Sequence, residues 1–298
     1  MRIGIDLGGT KVEALALDGE GQALHRERLP TPRHDYEGTL AAIHELVRRC
    51  EDATGRTGTV GVGMPGAISP ATGLVKNANS TWLNGQPFAE DLERMLERPV
   101  RFANDANCLA LSEATDGAAA NAEIVFGIIL GTGVGGGLVV RSAAVIGANA
   151  VGGEWGHNML PWPEDDEYPG PSCYCGLTGC IETWLSGPSF ARDFHHHAGR
   201  DATAAQVLEW ASQGDAQAEA AWQRYERRLA RALAGLINIV DPDVIVAGGG
   251  LSNVGRLYDN VPALWDRWVF SDRVDTRFVR AKFGDSSGVR GAAWLWNA

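Results

Sequence analysis

Three of the chain's five cysteines fall within eight residues, Cys173-Tyr174-Cys175-Gly176-Leu177-Thr178-Gly179-Cys180. Thiolates at this spacing converge easily on one soft cation, so the run reads as three corners of a closed, tetrahedral zinc site. The closed geometry implies a structural ion. Cys50 and Cys108 stand apart and are expected to be buried, inert thiols. His195-His196-His197 is a competing ligand cluster. Consecutive helical residues diverge in direction, so a solvated helix face is expected there.

A second group of residues suits an anion. Glycines recur at three turns: Asp6-Leu7-Gly8-Gly9-Thr10-Lys11, Gly131-Thr132-Gly133-Val134-Gly135-Gly136-Gly137, and Gly248-Gly249-Gly250. Glycine reaches backbone conformations closed to other residues and lets N–H groups approach a bound phosphate. One such turn is ordinary hairpin chemistry; three, each at a strand end, read as a triphosphate cradle. Thr10 and Thr132 add hydroxyl donors, and Asp6 stands where its carboxylate would hold magnesium, through water, between phosphates. Gly131, Gly133 and Gly136 also match a dinucleotide fingerprint, but that motif opens a helix, whereas Leu138-Val139-Val140 continues as a strand. The dinucleotide reading is excluded.

These groups need elements to position them. Apolar runs at residues 2–7 and 12–17 predict a hairpin around the first turn, and residues 124–130 and 138–140 predict another around the second. Leu40, Ile43, Leu46 and Val47 keep a helical period within residues 37–53; residues 60–64, 100–103 and 243–247 read as buried strands. Residues 107–117 and 203–239 read as helical, as does 288–298. Alternating strands and helices imply an α/β fold, and the paired hairpins suggest an internal duplication. At 298 residues the chain has room for two domains of about 150. They are expected to be residues 1–117 with 288–298, and a larger domain of residues 118–287 carrying the cysteines.

Composition excludes other classes. No apolar stretch reaches the ~20 residues of a membrane helix, and no secretory signal opens the chain. A cytoplasmic location is expected. A formal net charge of −11 repels phosphate backbones, so nucleic acid is an unsuitable partner.

The first two glycine turns, with Asn104-Asp105-Ala106-Asn107, Gly153-Glu154-Trp155-Gly156-His157, Cys175 through Glu182, and Gly284-Asp285 with Gly288, Gly291 and Ala292, resemble the ROK sugar kinases along the whole chain. The resemblance implies the actin-like (ribonuclease H-like) two-domain ATPase fold, with ATP and a sugar in the intervening cleft. It assigns the catalytic base to Asp105, although Asn-Asp ahead of a helix is equally good capping chemistry. Phosphoryl transfer through a loose transition state needs one carboxylate to orient the hydroxyl and accept its proton late. The resemblance also gives sugar recognition to Asn104, Glu154, His157 and Glu182, and makes His157 the fourth zinc ligand. Glu154 and Glu182 lie in glycine-rich, otherwise apolar stretches, where an idle charge is costly. Asn79 and Gly66 are further candidates for sugar contact, from the first domain.

The run of residues 77–88 is similar to the bacterial fructokinase branch of the family, which points to fructose, with mannose also accepted. N-acetylglucosamine and glucose are the alternatives. Relatives are commonly homodimers, and some are sugar-responsive repressors with a helix-turn-helix ahead of the first strand. Here the strand begins at Arg2, which disfavours the repressor class; a non-catalytic sugar sensor remains as a minor reading, separable by ATP turnover.

Overall fold

The two predicted hairpins begin two sheets of the same plan. In the computed structural model, which describes residues 1–296, β1 (Arg2–Leu7) pairs antiparallel with β2 (Lys11–Leu17), and β2 pairs antiparallel with β3 (Ala23–Pro30). Helix α1 (Tyr36–Thr54) follows, opened by Asp35, whose side chain accepts from the Gly38 N–H, and closed by Gly55 at φ 65°. It buries Leu40, Ile43, Leu46, Val47 and Cys50. Next come β4 (Thr59–Met64), the short pair β5 (Ala67–Ile68) and β6 (Val75–Lys76), α2 (Phe88–Leu96), β7 (Val100–Asn104) and α3 (Asp105–Thr115). The first sheet runs β3-β2-β1-β4-β7, with β1, β4 and β7 parallel.

Downstream are β8 (Ile124–Leu130), β9 (Val134–Val140), β10 (Ala143–Ala144), α4 (Glu182–Leu185), α5 (Gly187–Ala198), α6 (Ala204–Ser212) and α7 (Ala216–Val240). They are followed by β11 (Val244–Gly248), α8 (Leu257–Asn260), α9 (Pro262–Trp265), β12 (Arg277–Arg280) and α10 (Ser287–Trp294). The second sheet repeats the order, β10-β9-β8-β11-β12, again with its last three strands parallel. The duplication suspected from the turns is thus one of topology.

Contacts divide the chain into one unit of Met1–Ala122, Gly137–Gly153 and Lys282–Ala298 and another of Glu123–Gly136 and Glu154–Ala281. This differs from the sequence-based boundary, which gave residues 118–122, 137–153 and 282–287 to the larger domain. The reason is local. At Gly137 a Cβ would lie 2.5 Å from the Ala106 carbonyl oxygen, so only glycine lets β9 run this close to α3. The 282–287 segment is held by Glu113 of α3, a fully buried carboxylate that accepts from the Lys282 and Phe283 N–H groups and, at 2.8 Å, from the Ser287 hydroxyl. Helix α10 then packs on β1 and β4, where Gly4 and Gly61 leave room for its backbone. The end of the helix predicted over 288–298, Asn297 and Ala298, lies outside the described residues.

Three further differences have simple causes. Strand β3 shows no apolar face in the sequence, because its arginines are balanced by a buried acid on the neighbouring strand. The helix predicted over 203–239 is two, since Asp215 caps a new start by accepting from the Gln217 and Ala218 N–H groups. Strand β9 begins at Val134, four residues before the predicted start, because the intervening glycines adopt extended backbone. The second unit's core gathers around α7, where Trp222 stacks on Tyr225 and Phe190 of α5 meets both rings edge-on.

Candidate active site

In the first unit the β1–β2 turn is braced by hydrogen bonds within it and from Thr31. The Gly8 N–H donates to the Lys11 carbonyl, while Thr31 donates its hydroxyl to the Gly8 carbonyl at 2.6 Å and its N–H to the Thr10 carbonyl at 3.1 Å. Gly9 and Thr10 are left exposed. Asp6, at the end of β1, lies directly across from Glu13 of β2, so both carboxylates share one face of the sheet. Glu13 is buried and draws in Arg26, Arg28 at 2.7 Å and Lys11 at 3.8 Å. Burial pushes the Asp6 carboxyl up to about 7, aided by the like charges of Asp105 and Glu13 and opposed by Lys11 and Arg28.

Asp105 is exposed at the first position of α3. The capping role falls to Asn104, whose side-chain oxygen accepts from the Asn107 N–H at 2.7 Å. Sequence alone left the base and cap readings of this pair open; the cap is Asn104, and the Asp105 carboxylate accepts from the Ala106 N–H at 2.8 Å. Gly288, at the start of α10, packs against Asp6: a Cβ there would stand 3.3 Å from its carboxylate. Gly66 sits at φ 71° with no room for a side chain beside Lys76 and Ala78. Asn79 is exposed on the same loop. Asn84 holds that loop by accepting from the Ala78 N–H and donating to the Ala78 carbonyl, both at 2.9 Å. Glu13, Thr31 and Asn84 were not singled out by sequence reasoning. Only Glu13 carried a signal, an acid inside an otherwise apolar strand.

In the second unit the β8–β9 turn closes with the Gly131 N–H donating to the Gly133 carbonyl and leaves Thr132 exposed. Its edge is occupied by Glu182 of α4, which accepts from the Val134 N–H at 2.9 Å; a Cβ on Gly133 would lie 2.7 Å from the same oxygen. The residues around Glu154 and His157 pack on this hairpin. Trp155 donates its indole N–H to the Gly135 carbonyl at 2.8 Å, and Gly156 abuts the Val134 carbonyl. Gly248 ends β11, and Gly249, at φ 86°, passes Leu130 before a short 3-10 turn over Gly250–Asn253. Of the predicted residues, the first unit therefore holds Asp6, Gly8, Gly9, Thr10, Lys11, Gly66, Asn79, Asn104 and Asp105, and the second holds Thr132, Gly133, Glu154, His157, Glu182, Gly248, Gly249, Gly250 and the three cysteines.

His157 Nδ1 and the thiols of Cys173, Cys175 and Cys180 all lie within 4.8 Å of one another. The Cys173 sulfur is 3.6 Å from His157 Nδ1, and the Cys175 and Cys180 sulfurs are 3.7 Å apart. A tetrahedron with arms of about 2.0–2.3 Å to zinc has edges of roughly 3.5–3.8 Å, so the donor set fits that ion. Burial pushes the Cys180 thiol up to about 12, whereas the Leu177 N–H holds Cys175 below the ordinary thiol range. His157 Nε2 lies 3.0 Å from the Tyr174 hydroxyl, so its two ring nitrogens serve different neighbours. The histidine triplet lies exposed along the last turn of α5.

Two sheets of matching topology, each opened by a glycine-turned hairpin, define the actin-like two-domain ATPase fold. Solved structures agree: the chain superposes on a ROK hexokinase from Thermus thermophilus with TM-score 0.88 and 32% identity, covering 99% of this chain and 97% of that one. A ROK family glucokinase from Streptomyces griseus, crystallised with glucose and AMPPNP, matches with TM-score 0.78 and 28% identity over 99% and 98% of the two chains. Among curated proteins, an N-acetyl-D-glucosamine kinase from Yersinia enterocolitica is 39% identical over 299 aligned positions, 99% of each chain. The ROK family profile spans residues 2–298, and the chain belongs to the ROK family. Among the described residues no helix is long and apolar enough to cross a membrane.

Proposed function

We infer that this ROK-family enzyme is an ATP-dependent sugar kinase that uses Asp105 to aim a hexose hydroxyl at the terminal phosphate. The observation that carries this reading is local to the first unit: an exposed carboxylate heads α3, near enough to Asp6 to raise its pKa, and the glycine turn after Asp6 is braced by Thr31 with Gly9 and Thr10 exposed. Asp105 orients the hydroxyl and takes its proton as the new bond forms. In the first unit Asp6 holds the nucleotide's magnesium and Gly8, Gly9, Thr10 and Lys11 meet phosphate; in the second, Thr132, Gly133 and residues 248–250 are that unit's phosphate-binding candidates. The sugar-recognition residues are Glu154, His157 and Glu182 in the second unit and Asn104, Asn79 and Gly66 in the first. His157, Cys173, Cys175 and Cys180 bind one structural zinc, which when present ties the Glu154–His157 turn to the Cys180–Glu182 segment.

N-acetyl-D-glucosamine is the acceptor best supported, because the curated relative from Yersinia enterocolitica carries that name at 39% identity across nearly the whole chain. This moves the sequence-based preference for fructose to second place. Fructose keeps one specific support, the residue 77–88 run with its Asn84 clasp. Phosphorylation of N-acetylglucosamine, fructose, mannose and glucose under excess magnesium-ATP decides among them. The acceptor with the highest kcat/KM is expected to be N-acetylglucosamine; absence of nucleotide consumption with every hexose would defeat the kinase reading.

A further inference from the structure

The second unit contains a cavity of about 440 Å³ that holds none of the residues assigned above. Its walls include Tyr168, Pro171, Trp184, Arg192, His196 and Arg228. This is the size of a small-ligand pocket, and its charge is unusual for so acidic a chain. Behind it lies a cluster of three guanidiniums and two carboxylates: buried Arg228 and Arg231 bind Glu167, and Arg228 and the partly exposed Arg224 bind Asp193. Three positive charges against two negative leave a local excess of one beside the cavity, which favours an anionic occupant.

Geometry directs that excess at the cavity. Arg228 spends its Nε on Glu167 and its Nη1 on Asp193, both at 2.7 Å, and its side chain keeps only 4% exposure. That remainder opens on the cavity it lines. The guanidinium lies 4.6 Å over the Trp184 ring, whose buried indole N–H has no partner among the described residues. At the rim Arg192 donates to the Thr183 carbonyl and the Ser189 hydroxyl and has no acidic partner among the described residues, while His196 and His197 add two imidazoles. Asp193 is already committed on both oxygens, which leaves exposed Asp166 as the opposing charge on the lining.

We propose that this cavity binds a small sugar phosphate, its phosphate against Arg192 and Arg228 and its ring against Tyr168 and Trp184. The ring assignment follows from the aromatic and proline walls, which a bare phosphate would leave in contact with water. The occupant considered is a hexose 6-phosphate, the product of the reaction inferred above, and its identity rests on that reading. The floor of the cavity is α4: Thr183 and Trp184 line it, and Glu182 on the same turn holds the Val134 N–H of the glycine hairpin. Occupancy therefore feeds back on sugar phosphorylation.

The test is calorimetric titration of the zinc-loaded chain with N-acetylglucosamine 6-phosphate, fructose 6-phosphate and inorganic phosphate, without nucleotide. Two sugar-phosphate sites per chain are expected, one being the active site. Arg192→Glu should abolish one site, Arg192→Lys should weaken it less, and both should leave kcat and KM measured at zero product unchanged. In steady state, product inhibition should change from mixed to purely competitive with sugar in Arg192→Glu. One site in the natural chain, or two retained in Arg192→Glu, overturns the proposal. Inorganic phosphate filling the second site as tightly as the esters overturns the sugar-phosphate class. A chain that turns over no hexose yet shows an Arg192-dependent ester site fails the kinase reading and keeps the cavity assignment.

Discussion

The two glycine hairpins have one topology and opposite electrostatics. In the first unit the turn sits above a pair of facing carboxylates, Asp6 and Glu13, and burial with like charge keeps Asp6 partly protonated near neutrality. In the second unit the equivalent turn is already engaged by a carboxylate, Glu182 on the Val134 N–H, and the acids deeper in that unit are paired with arginine. The same backbone thus stands over a desolvated carboxyl with a raised pKa once and over a carboxylate hydrogen-bonded to the turn itself once. A duplicated fold can divide labour by changing only what stands behind the turn.

The sharpest way to break this comparison is Asp105→Asn. Loss of the proton acceptor should lower kcat by roughly 10²- to 10⁴-fold with sugar KM nearly unchanged; a variant within tenfold of the natural kcat removes the base from the first unit. Next in size is zinc. Chelation, or Cys175→Ser, should release one equivalent per chain and lower the thermal midpoint by about 10 °C, with hydrogen exchange rising in the second unit alone. Uniform loosening of both units would erase the distinction.

The acids of the two units should respond to pH in opposite senses. Burial raises Glu167, but bonds from Arg231, the Glu164 backbone and Arg228 outweigh it and hold the carboxyl at about 2, below the ordinary 4.5. A lowered folded pKa stabilises above 4.5 and loses that contribution, on the order of 2–3 kcal/mol, as pH falls toward 2. Asp6 is raised from 3.8 to about 7, so its ionised form strains the first unit above pH 7, and the strain fades as pH falls toward 3.8. Hydrogen exchange without magnesium should show β1 gaining protection between pH 7.5 and 5.5 while α7 stays constant, and α7 losing protection below pH 4. Parallel profiles would contradict the contrast. The smallest effect belongs to Glu182→Gln, where the amide oxygen still accepts from Val134: a loss of about 1 kcal/mol, read as a modest rise in sugar KM.

Much of the candidate site could be proposed from the sequence because its residue types are compelled by backbone chemistry. Glycines at three strand ends and thiols at short spacing have few other uses, and the pairing of the hairpins announced the duplicated α/β plan. What escaped were long-range pairings. Strand β3 looks like a polar loop until Glu13 supplies its counter-charge, and the return of residues 137–153 to the first unit depends on Gly137 meeting Ala106 through space. The choice of sugar escaped for another reason, since hexoses differ by single hydroxyls and acetyl groups that a local run of residues does not resolve.

The way α10 meets β1 and β4, backbone against glycine, bears on how the protein is made. A Cβ at Gly4 would fall 2.0 Å from the Val289 carbonyl oxygen, and one at Gly61 would fall 1.9 Å from that of Ala292. During synthesis that bare stripe emerges early and its cover emerges only after the whole second unit. The nascent amino-terminal sheet must wait on the ribosome with one flank unclothed, a window in which chaperones and proteases have their best access.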